Sequence, residues 1–239
     1  MIWLFDLDNT LHNASLAIFP EISANMNAFL SVCMKENGDI YLSAEAANQL
    51  RIKYWKRFGA TLLGISKVLD QRARDFLEAA HRFHDLKSLL SAERGLPVLF
   101  RKLPGRKVLL TNSAYRYSAD ILKLLGVHQF FEKHIAIESM RVFGKFEPKP
   151  SGKFFRKLLA MLKVRPEDCV LVEDNIHILK KAKAMGMKTV LVTRYLDRGR
   201  FSQHSYPYPS GKRRAGRPAF IDLKMTSVRR LTHYLERFC

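Results

Sequence analysis

Ile2-Trp3-Leu4-Phe5-Asp6-Leu7-Asp8-Asn9-Thr10-Leu11 begins with a short, continuous apolar run that stops abruptly at Asp6. A run of β-formers without polar alternation is expected for a central strand of a parallel sheet, where both faces are covered. Just past its end stand two carboxylates, two residues apart. In an extended chain residues i and i+2 point to the same side, so Asp6 and Asp8 can converge on one site. Two like charges held together are costly unless something offsets them. A divalent cation does so, and Mg²⁺ takes oxygen ligands together with waters and a bound phosphate. The bland alternative is a polar strand end or a helix-capping aspartate.

Outward from this stretch, similar apolar runs recur at 107–111, 134–138, 169–173 and 188–192. Helical patterns lie between them at 118–125, 151–162 and 176–185, the first and last followed by Gly126 and Gly186 as C-cap residues. This alternation predicts right-handed βαβ crossovers and an α/β fold with a doubly wound, Rossmann-like parallel sheet. From about 14 to 100 the pattern is helical throughout, near 21–36, 42–58, 72–84 and 92–102, with no convincing strand. The expected organisation is an α/β core of 1–13 and 101–239, with an all-helical cap of 14–100 inserted after the first strand, over the usual ligand crevice. After Val192, 198–218 reads as a loop in which Tyr206-Pro207-Tyr208-Pro209-Ser210-Gly211 precedes the basic Lys212-Arg213-Arg214. A last strand is expected near 219–223 and a closing amphipathic helix over 227–238, with Val228, Leu231, Leu235 and Phe238 on one face.

Two further strand ends carry chemistry. Val170-Leu171-Val172-Glu173-Asp174-Asn175 brings carboxylates to the edge that holds Asp6 and Asp8, because parallel strands share one C-terminal edge. Taken alone, Glu173-Asp174 is an ordinary helix N-cap. Leu109-Leu110-Thr111-Asn112-Ser113 offers a hydroxyl, an amide and backbone N–H groups ahead of a helix, which suit a phosphate or simply a helix entry. In Glu147-Pro148-Lys149-Pro150-Ser151 the flanking prolines restrict the backbone, placing the Lys149 ammonium at a helix start.

Composition narrows the classes. The 239 residues are 47% hydrophobic and 26% charged, which excludes disordered, collagen-like and disulfide-stapled chains. Subtracting 22 Asp+Glu from 41 Lys+Arg leaves +19, a field that favours anions. Cys33, Cys169 and Cys239 are widely spaced, giving neither a disulfide framework nor a zinc site and fitting a reducing compartment. No apolar run approaches ~18 residues, and the first strand begins at residue 2, so neither a membrane span nor a removable leader is expected. The expected location is cytoplasmic.

Taken in order, DxDxT, then Thr-Asn, then Lys-Pro, then Glu-Asp resemble the haloacid dehalogenase-like (HAD) phosphatase superfamily over nearly the whole chain. Within it, Asp6-Leu7-Asp8-Asn9-Thr10-Leu11, the segment Tyr54-Trp55-Lys56-Arg57-Phe58-Gly59-Ala60-Thr61-Leu62-Leu63-Gly64 and Leu110-Thr111-Asn112 resemble the pyrimidine 5′-nucleotidase family. The resemblance implies Asp6 as nucleophile, forming an aspartyl-phosphate, and Asp8 as general acid and then base, protonated when substrate binds. It implies Mg²⁺ held by the Asp6 carboxylate, the Asp8 carbonyl and Asp174, with Glu173 assisting or behind them. Thr111, Asn112 and Lys149 would hold the phosphoryl group, and Tyr54, Arg57 and Phe58 would meet the substrate, although aromatics at helical spacing more often pack. Tyr115-Arg116-Tyr117 departs from the pattern and leaves contacts there open.

The implied activity is Mg²⁺-dependent hydrolysis of a nucleoside monophosphate such as UMP or CMP. The enzymatic alternative is a phosphatase or phosphomutase for sugar phosphates or phosphoglycolate. A nucleic-acid-binding protein on the same scaffold is the alternative of another class. It draws on 11 Lys/Arg against 3 Asp/Glu from Arg194 onward, including Lys212-Arg213-Arg214-Ala215-Gly216-Arg217. The plain alternative for that tract is a solvated basic loop.

Overall fold

The computed structural model describes residues 1–36, 42–58, 61–68, 72–196 and 218–238. The chain enters β1 (Ile2–Phe5), then passes through α1 (Ile18–Glu36), α2 (Ala44–Phe58), α3 (Thr61–Val68), α4 (Ala73–Ala80), α5 (Leu86–Leu89) and α6 (Leu96–Lys102). Next come β2 (Arg106–Leu110), α7 (Tyr115–Leu124), β3 (Lys133–Ile135), β4 (Arg141–Val142), β5 (Lys145–Phe146) and α8 (Gly152–Leu162). The chain closes through β6 (Cys169–Glu173), α9 (Ile176–Ala184), β7 (Lys188–Val192) and β8 (Leu223–Met225). These elements fall into two compact units, one built from Met1–Ala14, Leu90–Leu196 and the described part of Arg213–Cys239, the other from Ser15–Leu89.

The first unit is a six-stranded sheet in the order β3-β2-β1-β6-β7-β8, with every neighbouring pair parallel. The doubly wound α/β fold expected from the sequence is present. Beginning at β1, the chain winds to one side through β2 and β3 and to the other through β6, β7 and β8, which makes β1 the switch point where such folds bind ligands. Phe5 pairs in register with both Leu109 and Val172, so the residues that follow, Asp6, Leu110 and Glu173, stand at one level of the sheet.

Both faces of β1 are buried, which explains its unbroken apolar sequence. Ile2 and Leu4 pack with Phe154, Phe155 and Leu158 of α8 and Leu179 of α9. On the other face Phe5 meets Phe100 of α6 edge-on at 5.0 Å, and Trp3 meets Phe238 at 5.4 Å while its Nε1 donates to Pro104 O. Each fully buried side chain of this size contributes about 1.5–3 kcal/mol. α8 shows how locally this is encoded. Ser151 caps it by accepting from Phe154 N–H, and Lys163 ends it in the left-handed conformation at φ 54°. Phe154, Phe155, Leu158, Leu159 and Leu162, spaced by one, three and four, form its buried stripe.

The elements of the second unit are all helices among its described residues, with α1 packed on α2 and α4, and α3 on α2 and α4. At its centre Arg51 is fully buried, its Nε donating to Asn27 Oδ1 at 3.1 Å and its Nη2 to Asn48 Oδ1 at 2.9 Å. No helix among the described residues is long and apolar enough to cross a membrane.

Several boundaries differ from those read in the sequence. The helix expected at 92–102 starts only at Leu96, after Gly95 at φ 90°, and belongs to the sheet unit because Phe100 packs on Phe5; the helical unit therefore ends at Leu89, not near 100. β3 stops at Ile135, and Ile137–Ser139 turns into a single 3-10 turn. The last strand is Leu223–Met225 and not 219–223, because Asp222 must turn inward to bind Thr189 before pairing starts. The closing segment Val228–Arg237 is 3-10, broken at Tyr234, in place of the expected α-helix. The hairpin of β4 and β5 went unseen in the sequence. Its strands are two residues long, too short for a period-2 pattern, and its turn at Phe143 and Gly144 uses positive φ values of 50° and 78°. The basic tract 198–217 lies outside the described residues.

Candidate active site

Asp6 is fixed by the sheet itself, since its N–H still donates to Val172 O at 3.0 Å. The chain then breaks sharply. Asn9 takes φ 60°, and the N–H groups of Thr10 and Leu11 both return to Leu7 O. This turn brings Thr10 back to Asp6, where its Oγ1 donates to Oδ2 at 3.0 Å. The other oxygen, Oδ1, accepts from Lys149 Nζ at 2.8 Å, and the same ammonium donates to Glu173 Oε2 at 2.8 Å. Asn175 N–H donates to Glu173 Oε1, so protein donors occupy both oxygens of that carboxylate. Asp174, also buried, completes a group in which one oxygen each of Asp6, Glu173 and Asp174 lies within 4.8 Å of the others.

The loops after β2 and before α8 are tied together by Asn112. Its Nδ2 donates to Lys149 O and its Oδ1 accepts from Lys149 N–H, both at 2.9 Å. The amide read as a phosphate ligand is thus used to aim the backbone that carries Lys149. Thr111 is fully buried, and its Oγ1 accepts from Ser113 N–H at 3.0 Å, which shapes the entry to α7 and leaves the hydroxyl proton to be donated.

Asp8 stands in a separate cage of donors. Ser113 Oγ donates to Oδ2 at 2.5 Å, Tyr117 OH donates to Oδ1 at 2.6 Å, and His12 Nε2 lies 3.0 Å from Oδ1. An ionised carboxylate only accepts, so Nε2 carries the imidazole proton. His12 is fully buried, and its Nδ1 has no hydrogen-bond partner among the described residues.

These surroundings divide the two aspartates electrostatically. Burial pushes Asp6 up to about 7, the charge of Glu173 adds to this, and Lys149 opposes it. Burial would likewise raise Asp8, but hydrogen bonds from His12, Ser113 and Tyr117 outweigh it and hold the carboxyl below its ordinary value. For Lys149, burial is overcome by Asp6 and Glu173, which hold the ammonium above the usual lysine range. Burial and the neighbouring Asp8 charge push the Tyr117 phenol well above its usual value, so it remains a donor at neutral pH.

Asp6, Asp8, Thr111, Asn112, Lys149, Glu173 and Asp174, singled out from sequence, therefore sit together at the switch point of the sheet. Of the helical residues singled out with them, Tyr54 has its ring against Gly64 of α3, where any Cβ would overlap it, and Arg57 is exposed. The side chain of Phe58 lies outside the described residues. Sequence reasoning missed Thr10, His12, Ser113 and Tyr117 as partners of the two aspartates. A signal existed for His12, four residues after Asp8, and for Tyr117, which lies in a stretch that departs from the expected pattern.

The family model for haloacid dehalogenase-like hydrolases matches residues 2–186, and the chain belongs to that family. It is 25% identical over 193 residues to pyrophosphatase PpaX of Bacillus mycoides, covering 80% of this chain and 82% of that protein. It is 23% identical over 210 residues to phosphoglycolate phosphatase of Pseudomonas putida, covering 82% and 71% respectively. The fold is similar to that of a HAD phosphatase from Thermococcus onnurineus, with a TM-score of 0.58, 18% identity and coverage of 98% of this chain and 97% of that one.

Proposed function

We propose that this HAD-like hydrolase is a phosphomonoesterase that uses Asp6 as nucleophile and Asp8 as proton carrier. The observation that carries this is the pair of separately tuned carboxylates at the C-terminal end of β1, one beside a buried lysine and two further acids, the other inside a cage of donors. An Asp6 oxygen would attack phosphorus and displace the ester oxygen, which takes a proton from Asp8. Asp8 would then accept a proton from the water that hydrolyses the aspartyl-phosphate. The cage suits the second step directly, since it favours the ionised form. For the first step Asp8 must acquire a proton, which a phosphomonoester binding as its monoanion can deliver, and the hydroxyls of Ser113 and Tyr117 can rotate from donating to accepting. In this proposal Asp8 is ionised without substrate and protonated once substrate binds, as the resemblance implies.

The donor set fits Mg²⁺: hard carboxylate oxygens of Asp6 and Asp174 converge, and a buried Asp6 carboxyl, pushed up to about 7, gains from a cation that holds it ionised. Asp6, Asp174 and the Asp8 carbonyl are the proposed ligands. Glu173, engaged by Lys149 and Asn175 N–H, is assigned to orienting Lys149. When bound, the ion supplies charge neutralisation on the phosphoryl oxygens. Thr111 and Lys149 are the phosphate-facing donors in this proposal, and Asn112 holds Lys149.

Pyrimidine nucleoside monophosphates are the proposed substrates, on the strength of the Asp8-Asn9-Thr10-Leu11 and Tyr54–Gly64 patterns, with Tyr54, Arg57 and Phe58 of the helical unit as the residues to vary. Small sugar phosphates or phosphoglycolate form a second proposal, favoured by the phosphoglycolate phosphatase among the relatives. Phosphate release from UMP, CMP, AMP, GMP, phosphoglycolate and sugar phosphates decides between them. A pyrimidine preference supports the first, and turnover confined to phosphoglycolate or sugar phosphates replaces it with the second.

A further inference from the structure

We infer that Tyr117 and His12, with Ser113, are positioning residues for the leaving-group step, aiming the Asp8 carboxyl at the departing ester oxygen. The inference rests on the phosphatase reading above and extends it to residues that reading leaves idle.

Three features carry it. First, the contacts converge from separate elements. His12 lies on the segment after β1, held by bridges to Asp8 and Ala92, Ser113 on the loop after β2, and Tyr117 on the first turns of α7. Second, the contacts are divided between the oxygens, two donors on Oδ1 and one on Oδ2, which removes rotation about the carboxylate bond. A carboxyl must be held within a few tenths of an ångström to transfer a proton efficiently, and one such donor would leave it free to turn. Third, the cage is buried where nothing in packing calls for polarity. Tyr117 is 2% exposed and His12 is fully buried, with the ring planes at 64°. A phenylalanine and an aliphatic residue would fill the same space without buried polar atoms, which cost free energy unless satisfied. Tyr117 is also bracketed by a chain that fixes the helix: Ser118 Oγ donates to Ala114 O, and Tyr115 N–H donates to the Glu138 carboxylate.

The test uses two esters that differ in their need for an acid. A 4-nitrophenyl leaving group departs without protonation, whereas an alkyl alcohol requires it. General acid catalysis contributes roughly 10²–10⁴-fold, so loss of its aim is expected to lower kcat/KM for an alkyl phosphate by about 10–100-fold in Tyr117→Phe. For 4-nitrophenyl phosphate the same variant is expected to stay within about threefold of the wild type. His12→Gln, which keeps an N–H donor, is expected to retain more alkyl-ester activity than His12→Leu. If Tyr117→Phe lowers both esters equally, or neither, the inference is overturned. Should Tyr117→Phe or the His12 variants fail to fold by circular dichroism, Ser113→Ala, at the half-buried side of the cage, carries the same two-ester comparison: a selective loss on the alkyl ester supports the inference, and equal losses or none overturn it. With the alkyl ester taken as whichever of UMP, CMP, AMP, GMP, phosphoglycolate and the sugar phosphates the wild type turns over fastest, wild-type protein that hydrolyses none of them nor 4-nitrophenyl phosphate overturns the phosphatase reading itself, a result distinct from equal losses in an active enzyme.

Discussion

Lys149 is the residue on which the site's electrostatics turn. Its ammonium lies 2.8 Å from both Asp6 and Glu173, all three buried, so its removal leaves two adjacent carboxylates without a cation. Breaking a buried ion pair from one side typically costs 3–5 kcal/mol. Lys149→Met is therefore expected to lower unfolding free energy by about that amount in urea titrations with EDTA present, and adding Glu173→Gln is expected to recover part of it. An unchanged urea midpoint in the single variant would contradict the assignment. At this scale the sequence was legible where a polar residue ends an apolar strand, as at Asp6 and Glu173, or stands between prolines, as at Lys149. It marked Tyr117 only as part of a stretch that departs from the pattern and did not pair it with Asp8, 109 residues away, because only the tertiary fold makes them neighbours. Asn112 was legible as important, but its contact with the Lys149 backbone was not, since a side-chain amide serves a phosphate and a peptide equally well.

Among the elements, those buried on both faces or on a helical stripe were readable, and those defined by a few tertiary contacts were not. β1, β6 and β7 coincide with their apolar runs, as does α8 with its stripe. β8 was displaced because its start is set by Asp222, whose carboxylate accepts from Thr189 N–H at 2.8 Å, Thr189 Oγ1 at 3.1 Å and Lys183 Nζ. Burial alone would raise the Asp222 pKa, yet Lys183 and Thr189 outweigh it and hold the group below its ordinary value. The sign follows from linkage: a carboxyl depressed in the folded state stabilises above its unfolded pKa of about 3.9, and that contribution is lost as pH falls through the folded value. Asp222→Asn is accordingly expected to melt below the wild type at pH 7, with the gap in Tm narrowing below about pH 4. A gap that stays constant down to pH 3 would show that the contact is not electrostatic.

Across the molecule, the chain carries a net charge of +19, and the proposed substrate is a phosphomonoester anion. Such a field concentrates anionic substrate and is screened within about 10 Å at 0.1 M salt, so kcat/KM for a phosphate dianion is expected to fall severalfold as salt rises. A salt-independent kcat/KM would confine the charge to other purposes, nucleic-acid binding among them, for which a salt-sensitive retention assay is the direct check. The division into an α/β unit and an inserted helical unit was legible from a switch in periodicity, but its boundary at Leu89 was not, because α6 reads as helical whichever unit it joins. The central claim is that Asp6 accepts the phosphoryl group with Mg²⁺ beside it. Its most direct test is inorganic phosphate release from a phosphomonoester by wild-type and Asp6→Asn protein, each with Mg²⁺ and with EDTA. Release that needs Mg²⁺ and disappears in a folded Asp6→Asn variant is the predicted result, whereas release at wild-type rates by Asp6→Asn, or undiminished release in EDTA, would contradict it.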